Sequence, residues 1–119
     1  MKRKILVAVA VTATLLVATQ VAQAEWLTAS EIRSAVLGKT CNAANGNRIT
    51  FGSRYTVKDS AGPTYSGSWK IVNQGIVVNF TKAVGADPKW RPHTKNFGIG
   101  RRGDQLYIGT VPMECRRGK

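Results

Sequence analysis

Three kinds of residue are scarce in this sequence, and each scarcity excludes a class of function. One histidine, His93, and two cysteines leave too few ligands for a structural metal site. No C-x-x-C pair is present, which excludes the usual redox motif. The six acidic residues are scattered, and no G-x-S-x-G element accompanies them. The sequence therefore predicts a protein that is not an enzyme and that uses no metal and no cofactor.

Long apolar runs are also scarce, and the one near the N-terminus is short. Three basic residues follow the initial Met, residues 5–18 are mainly apolar, and residues 22–24 read Ala-Gln-Ala. This order is typical of a secretory signal peptide, and the apolar run is shorter than the roughly 20 residues of a membrane span. We expect residues 1–24 to be a signal peptide and residues 25–119 a single β-rich domain. The mature protein would be periplasmic or secreted, without a transmembrane anchor.

The two cysteines, Cys41 and Cys115, lie near opposite ends of the predicted β region. Export favours their oxidation, because extracytoplasmic compartments permit disulfides. A chain this small buries only about 60–65% of its unfolded surface and therefore gains from a cross-link. We expect a Cys41–Cys115 disulfide, for which the chain-entropy treatment gives at most about 4.5 kcal/mol of stabilisation.

Acidic residues are outnumbered by basic ones, 18 to 6, and the net charge is +12. Without the three basic residues at positions 2–4, 15 basic residues remain against 6 acidic, a net charge of +9. A field of this sign attracts polyanions, so we expect an anionic glycan, lipopolysaccharide or nucleic acid as partner. The alternative is that the charge only keeps a small secreted protein soluble.

Strand-like alternation follows a single helical stretch. Thr28 and Glu31 have the spacing of a capping box, which predicts a helix over residues 27–38 that covers one end of the core. We predict a mainly β fold, either a small antiparallel barrel or a curved meander of six to eight strands with one short N-terminal helix. A two-sheet sandwich is the alternative.

Residues 65–82 have the clearest strand period and predict a hairpin that turns at residues 74–75. In that register Trp69 faces Phe80, and Lys70 stays out of the apolar face. A second hairpin is predicted to turn at residues 102–103 and to pair Ile99 with Leu106. Residues 83–96 have no strand period and contain two prolines, which predicts a long loop between the hairpins.

Basic and aromatic side chains are interleaved near the end of this predicted loop. A tryptophan can stack on a sugar or base while Arg and Lys hold phosphate or carboxylate. The sequence therefore predicts a ligand-binding set consisting of Lys89, Trp90, Arg91, His93 and Lys95. Alternatively, Trp90 plugs the mouth of the barrel. A secondary basic patch is expected from Arg101, Arg102, Arg116 and Arg117.

Two resemblances to known proteins add expectations. Residues 27–33 and 38–40, followed by the Gly-Ser-Trp-Lys-Ile of residues 67–71, resemble small exported bacterial proteins of unknown function with a helix and a β-meander. Residues 61–65 and 90–96 are similar to the Ser-Gly-x-x-Tyr and Tyr-x-x-x-Thr-Lys-Gly motifs of periplasmic inhibitors of C-type lysozyme. The second resemblance implies a small barrel whose Ser60 and Lys95 would enter the lysozyme cleft.

The function expected from these features is non-catalytic binding of an anionic polymer or envelope component through the basic and aromatic loop. Inhibition of a secreted hydrolase such as lysozyme is the first alternative. The second alternative is a small secreted ribonuclease, in which Glu114 and His93 would supply the acid and base and Arg91 would hold phosphate.

Overall fold

The structure is a computed structural model and describes residues 25–117. The predicted signal peptide therefore lies outside the described residues. The described chain contains a short helix and nine strands, in this order: β1 (Glu25–Trp26), α1 (Ala29–Val36), β2 (Lys39–Ala43), β3 (Arg48–Phe51), β4 (Tyr55–Lys58), β5 (Thr64–Val72), β6 (Gly75–Val84), β7 (His93–Arg102), β8 (Gln105–Ile108) and β9 (Val111–Arg117). Within this part of the chain, no helix has both the length and the apolar character needed to cross a membrane.

Strands β2 to β9 form a closed antiparallel barrel of eight strands. Each strand pairs with the next one along the chain, and the last strand, β9, pairs with the first, β2. This ring confirms the barrel and excludes the sandwich. Strand β1 adds two residues beside β7, outside the ring. The expected count of six to eight strands is therefore wrong by one, because a strand of two residues is too short to show a period in the sequence.

Helix α1 covers one end of the barrel, which we call the closed end. Its buried face consists of Ile32, Ala35 and Val36. The helix is held to the β5–β6 turn by two hydrogen bonds: the Gln74 amide donates to the Leu27 carbonyl at 2.8 Å, and the Ala29 amide donates to Asn73 Oδ1 at 3.0 Å. The opposite end, the open end, carries the β2–β3, β4–β5, β6–β7 and β8–β9 connections.

The capping box that predicted the helix is present at its start. Thr28 Oγ1 accepts from the Glu31 amide at 3.2 Å, and Glu31 Oε1 accepts from the Thr28 amide at 2.9 Å. The helix ends earlier than expected, because Leu37 already has an extended backbone conformation and Gly38 follows with φ +77°. The observed helix is thus two residues shorter at each end than the predicted range.

The faces of the central hairpin are as expected, but its register is not. Val78 and Phe80 are buried while Lys70 is exposed. Trp69 pairs with Val78, however, and the turn lies at residues 73–74. The register therefore differs by two residues, a shift that leaves every side chain on its predicted face. Gly75 belongs to the strand rather than to the turn, where its Cα approaches the backbone of β7 closely.

The second hairpin differs from its prediction in the same way. Ile99 pairs with Ile108 rather than with Leu106, and the turn lies at residues 103–104. Gly103 takes φ +62° there, a left-handed conformation that suits glycine. The shift is again two residues, so each side chain of β7 and β8 stays on its predicted face.

The loop between the hairpins is shorter than predicted. Strand β6 continues to Val84 and β7 begins at His93, so only residues 85–92 connect them. The prediction of a loop over residues 83–96 is wrong at both ends. The first residues of β7 pair with β6, with Phe80 opposite His93 and Val78 opposite Lys95.

Candidate functional site

The open end leads into a cavity of about 380 Å³ inside the barrel. Its wall is built largely from rings, contributed by Tyr55, Tyr65, Phe80, Trp90, His93 and Phe97. On the side of the closed end, the fully buried Phe51 packs edge-on against Tyr55 with ring centroids 5.5 Å apart. The cavity therefore has its opening at the end opposite α1.

Strand β7 directs two polar side chains into the mouth of this cavity. His93, Lys95 and Phe97 occupy alternate positions, and all three line the cavity. Lys95 Nζ lies 5.3 Å from the centroid of the Phe97 ring. The intervening Thr94 belongs to the outer face, where its hydroxyl donates to Asn79 Oδ1 at 3.3 Å. The strand thus places an ammonium group and an imidazole ring beside an aromatic wall.

The loop of residues 85–92 holds Trp90 across the mouth. Asp87 forms the turn: its Oδ1 accepts from the Lys89 amide at 2.7 Å and its carbonyl accepts from the Trp90 amide at 2.9 Å. The half-buried Trp90 ring lies 6.1 Å from the Tyr65 ring and 5.7 Å from the His93 ring, centroid to centroid. Trp90 therefore packs against the core, as the plug interpretation expected, and still lines the cavity.

Backbone carbonyls orient the two remaining polar side chains of this segment. Arg91 Nη1 donates to the carbonyls of Pro88 and Trp90, at 3.2 and 3.0 Å. His93 Nδ1 lies 2.9 Å from the Arg91 carbonyl. Because a carbonyl can only accept, Nδ1 is the donor in this contact.

The structure divides the predicted ligand-binding set into two groups. Trp90, His93 and Lys95 line the cavity, whereas Lys89 and Arg91 are exposed residues of the loop that do not. All five lie at the open end. His93 and Lys95 belong to strand β7 rather than to the loop, which corrects the prediction of a single basic and aromatic loop.

The secondary basic patch lies at the other end of the barrel. Arg101 and Arg102 are the last residues of β7, next to the β7–β8 turn, and Arg116 and Arg117 pair with β2 near α1. Arg101 also lines a second depression of about 350 Å³, together with Glu31 and Lys39. The two basic sets therefore occupy opposite ends and do not form one continuous face.

Tyr55 is a residue of the site that the sequence did not predict. It is 1% exposed, and burial raises the pKa of its phenol. Its hydroxyl makes no hydrogen bond to any residue that the structure describes. Within residues 25–117, every fully buried polar side-chain atom has a hydrogen-bond partner. The Tyr55 hydroxyl has none, so it is accessible, and the space that Tyr55 lines is the cavity.

Other polar side chains of the cavity wall already have partners. Asn47 Oδ1 accepts from the Ser60 amide at 3.0 Å, and Asp59 Oδ1 accepts from the Ala61 amide at 2.8 Å. These bonds shape the connections at the open end. The Tyr55 hydroxyl differs, because it makes no hydrogen bond that shapes a connection between strands.

Of the three residues considered for catalysis, Glu114 is not brought to His93 and Arg91. Glu114 is exposed on β9 opposite Asn42, whereas His93 faces the mouth from β7. In the part of the chain that the structure describes, no group of three or more His, Cys, Asp or Glu side chains could hold a metal ion.

Comparison with protein-family models, with curated proteins and with solved structures finds no match for this chain. The resemblances drawn from short motifs therefore stay predictions.

Proposed function

We propose that this protein, once exported, is a non-catalytic binding protein that holds an anionic polymer or envelope component at the open end of its barrel. The observation that carries the proposal is the position of Lys95, which projects from the inward face of β7 beside the Trp90, His93 and Phe97 rings. A cation within an aromatic mouth matches a ligand that combines a negative group with a ring.

The partners that fit this description are an anionic glycan, lipopolysaccharide or nucleic acid. One sugar or base at the mouth can stack on Trp90, since stacking needs only a planar or apolar face. The exposed Lys89 and Arg91 are close enough along the chain to meet neighbouring negative groups of the same polymer. Without the basic residues at positions 2–4, 15 basic residues remain against 6 acidic ones, and this excess draws such a ligand toward the exported protein.

A charge-matched pair of variants tests the location of binding. A sulfated heparin oligosaccharide is titrated into the wild type, into Lys89→Gln/Lys95→Gln at the open end, and into Arg116→Gln/Arg117→Gln at the closed end. Each variant removes two positive charges. We expect the open-end variant to lose about tenfold or more in affinity, and the closed-end variant to lose little.

A salt series completes this test. The logarithm of the association constant should fall linearly with the logarithm of salt concentration, and the open-end variant should show a slope smaller by about one or two. Equal losses in the two variants would contradict the proposal, because they would show that binding follows net charge alone.

Inhibition of a secreted hydrolase is a second candidate, and one observation favours it. Residues 61–65 and 90–96, which resemble the two inhibitor motifs, meet at the open end, where the Tyr65 and Trp90 rings are 6.1 Å apart. A muramidase assay with a C-type lysozyme tests this candidate. Inhibition that persists at high salt and is lost in Lys95→Gln supports it, and no inhibition at micromolar excess rejects it. No observation favours the ribonuclease.

A further inference from the structure

We infer that the cavity is the pocket for one small aromatic acid, whose ring system fills the barrel, whose anionic group meets Lys95, and whose far end carries an oxygen that hydrogen-bonds to Tyr55. The inference deepens the proposed function and rests on it in one respect, the assignment of the negative group to the open end. The ligand could be a free molecule or the terminal group of a larger envelope component.

The hydroxyl of Tyr55 has no hydrogen-bond partner within residues 25–117. Fully buried polar groups are almost always hydrogen-bonded, so an accessible hydroxyl on an otherwise buried side chain, with no protein partner, is left to bond to water or to a ligand. Tyr55 is 1% exposed, and its hydroxyl has no partner among the described residues although it reaches the cavity. A phenylalanine would make the same ring contacts without this polar atom. The hydroxyl is therefore available to a group inside the cavity.

The space above Tyr55 is compact and has aromatic rings in its wall. The Tyr55 ring is stacked on Phe97, with centroids 6.0 Å apart and an interplanar angle of 20°, and Phe80 meets it edge-on. The volume of about 380 Å³ lies at the lower end of the range for small-molecule sites, roughly 300–1,000 Å³. Beyond Tyr55 the buried Phe51 blocks the way toward α1. A compact ring system fits this space, whereas a long acyl chain has no path.

The mouth of the cavity carries the basic side chain of Lys95. Lys95 is the one lysine or arginine that lines the cavity in the part of the chain described by the structure. Its ammonium group is 5.3 Å from the centroid of Phe97, the ring on which Tyr55 is also stacked. Tyr55 and Lys95 therefore both contact Phe97. The inferred ligand would extend from the Tyr55 hydroxyl to the ammonium group of Lys95 at the mouth.

Three probes separate these contacts: 2-naphthoate, 6-hydroxy-2-naphthoate and the neutral 2-naphthol. The first two share an anion and differ in the oxygen at the far end of the ring system. Calorimetric titration of the wild-type protein should show tighter binding of the hydroxylated acid by about threefold to tenfold, the usual effect of one hydrogen bond. This preference should disappear in Tyr55→Phe. It should persist in Tyr107→Phe. This control lies on β8, where the Tyr107 hydroxyl accepts a hydrogen bond from Arg102.

The anion is tested in the same way. Lys95→Met should weaken both acids by about tenfold and leave 2-naphthol unchanged, because only the acids lose a charge partner. Lys70→Met, on an exposed position of β5, is the matched control and should change none of the three affinities.

Two results would overturn the inference. One is equal affinity of the two acids in the wild type or an unchanged preference in Tyr55→Phe. The other is the absence of any binding of these acids while the heparin oligosaccharide still binds at the open end, in which case the proposed function stands without the pocket. Binding of the acids without binding of heparin would instead support the pocket and reject the polymer. Displacement of a bound acid by lipopolysaccharide, but not by heparin, would identify an envelope component as the source.

Discussion

Cys41 and Cys115 face each other directly across strands β2 and β9, the first and last strands of the barrel ring, and form a disulfide. The pairing they cross-link joins residues 74 positions apart. The β2–β9 pairing is the least local strand pairing in the ring and the one that closes it. The bond therefore covalently secures the pairing whose chain-entropy cost is largest.

Removal of this disulfide should destabilise the protein by about 2–5 kcal/mol. The appropriate variant is Cys41→Ala/Cys115→Ala, because Cys41 is fully buried and a serine would introduce an unpaired hydroxyl. Urea unfolding measures the change. Reduced wild type serves as the control and should lose a similar amount of stability. An unchanged urea midpoint in both would show that the β2–β9 pairing needs no cross-link.

Gly67→Ala should be strongly destabilising, by roughly 1–3 kcal/mol or more. Gly67 lies at a β-bulge, where it pairs with Phe80 while Ser66 pairs with Lys82. A Cβ at this position would lie 2.7 Å from the carbonyl carbon of Asn79 and would also collide with its oxygen. The obstacle is backbone, so it cannot rotate away.

Gly52→Ala is the matched control for this substitution. A Cβ there would have its nearest neighbours at 3.8 Å, which is ordinary van der Waals contact. Thermal unfolding of both variants compares them under the same conditions. Similar melting temperatures for the two would contradict the tight approach of β5 and β6.

The capping box should make the stability depend on pH in the acidic range. Hydrogen bonds from the Thr28 backbone amide and then its side chain lower the pKa of Glu31 below its ordinary value of 4.5. The folded state therefore holds the charged form more strongly than the unfolded state does. This contribution is present above pH 4.5 and is lost as the pH falls through the lowered pKa.

Glu31→Gln tests this contribution, because glutamine can still accept the Thr28 bond but cannot titrate. Melting temperatures are recorded for both proteins from neutral to acidic pH. We expect the difference between wild type and variant to shrink as the pH falls. A constant difference would mean that the charge of Glu31 does not contribute.

Tyr55 should produce a second pH dependence, of opposite sign and in the alkaline range. Burial raises the pKa of its phenol above the ordinary value of 10.0. The unfolded state therefore releases the proton first, and the free energy of unfolding falls as the pH rises above about 10. Tyr55→Phe should lose stability less steeply there than wild type, as measured by urea unfolding. Parallel curves would contradict the effect of burying the Tyr55 side chain on the pKa of its phenol.

Much of the fold could be predicted because successive side chains of a strand point to opposite faces, so alternation along the sequence is enough to assign them. Alternation assigned Phe80 to the core and Lys70 to solvent, and both assignments hold. The registers of both hairpins could not be obtained in this way. They depend on where the turn falls, and Gln74 takes φ +72° in a position that sequence preference gives to the following glycine.

The candidate site was predicted in part for a related reason. The segment that carries Trp90 was found from its composition, but His93 and Lys95 were assigned to a loop because polar residues at inward positions break the apolar period of a strand. Those positions are polar because they line the mouth of a cavity. The cavity itself arises only when eight strands close, and no single segment of the sequence carries that information.

The helix that seals one end of the barrel limits what the protein can do with a ligand. With α1 and the buried Phe51 at the closed end, a molecule that enters beside Trp90 must leave by the same route. Two molecules cannot pass each other in so small a space. The barrel can therefore store a ligand or hand it over at the opening, but it cannot serve as a conduit from one side to the other.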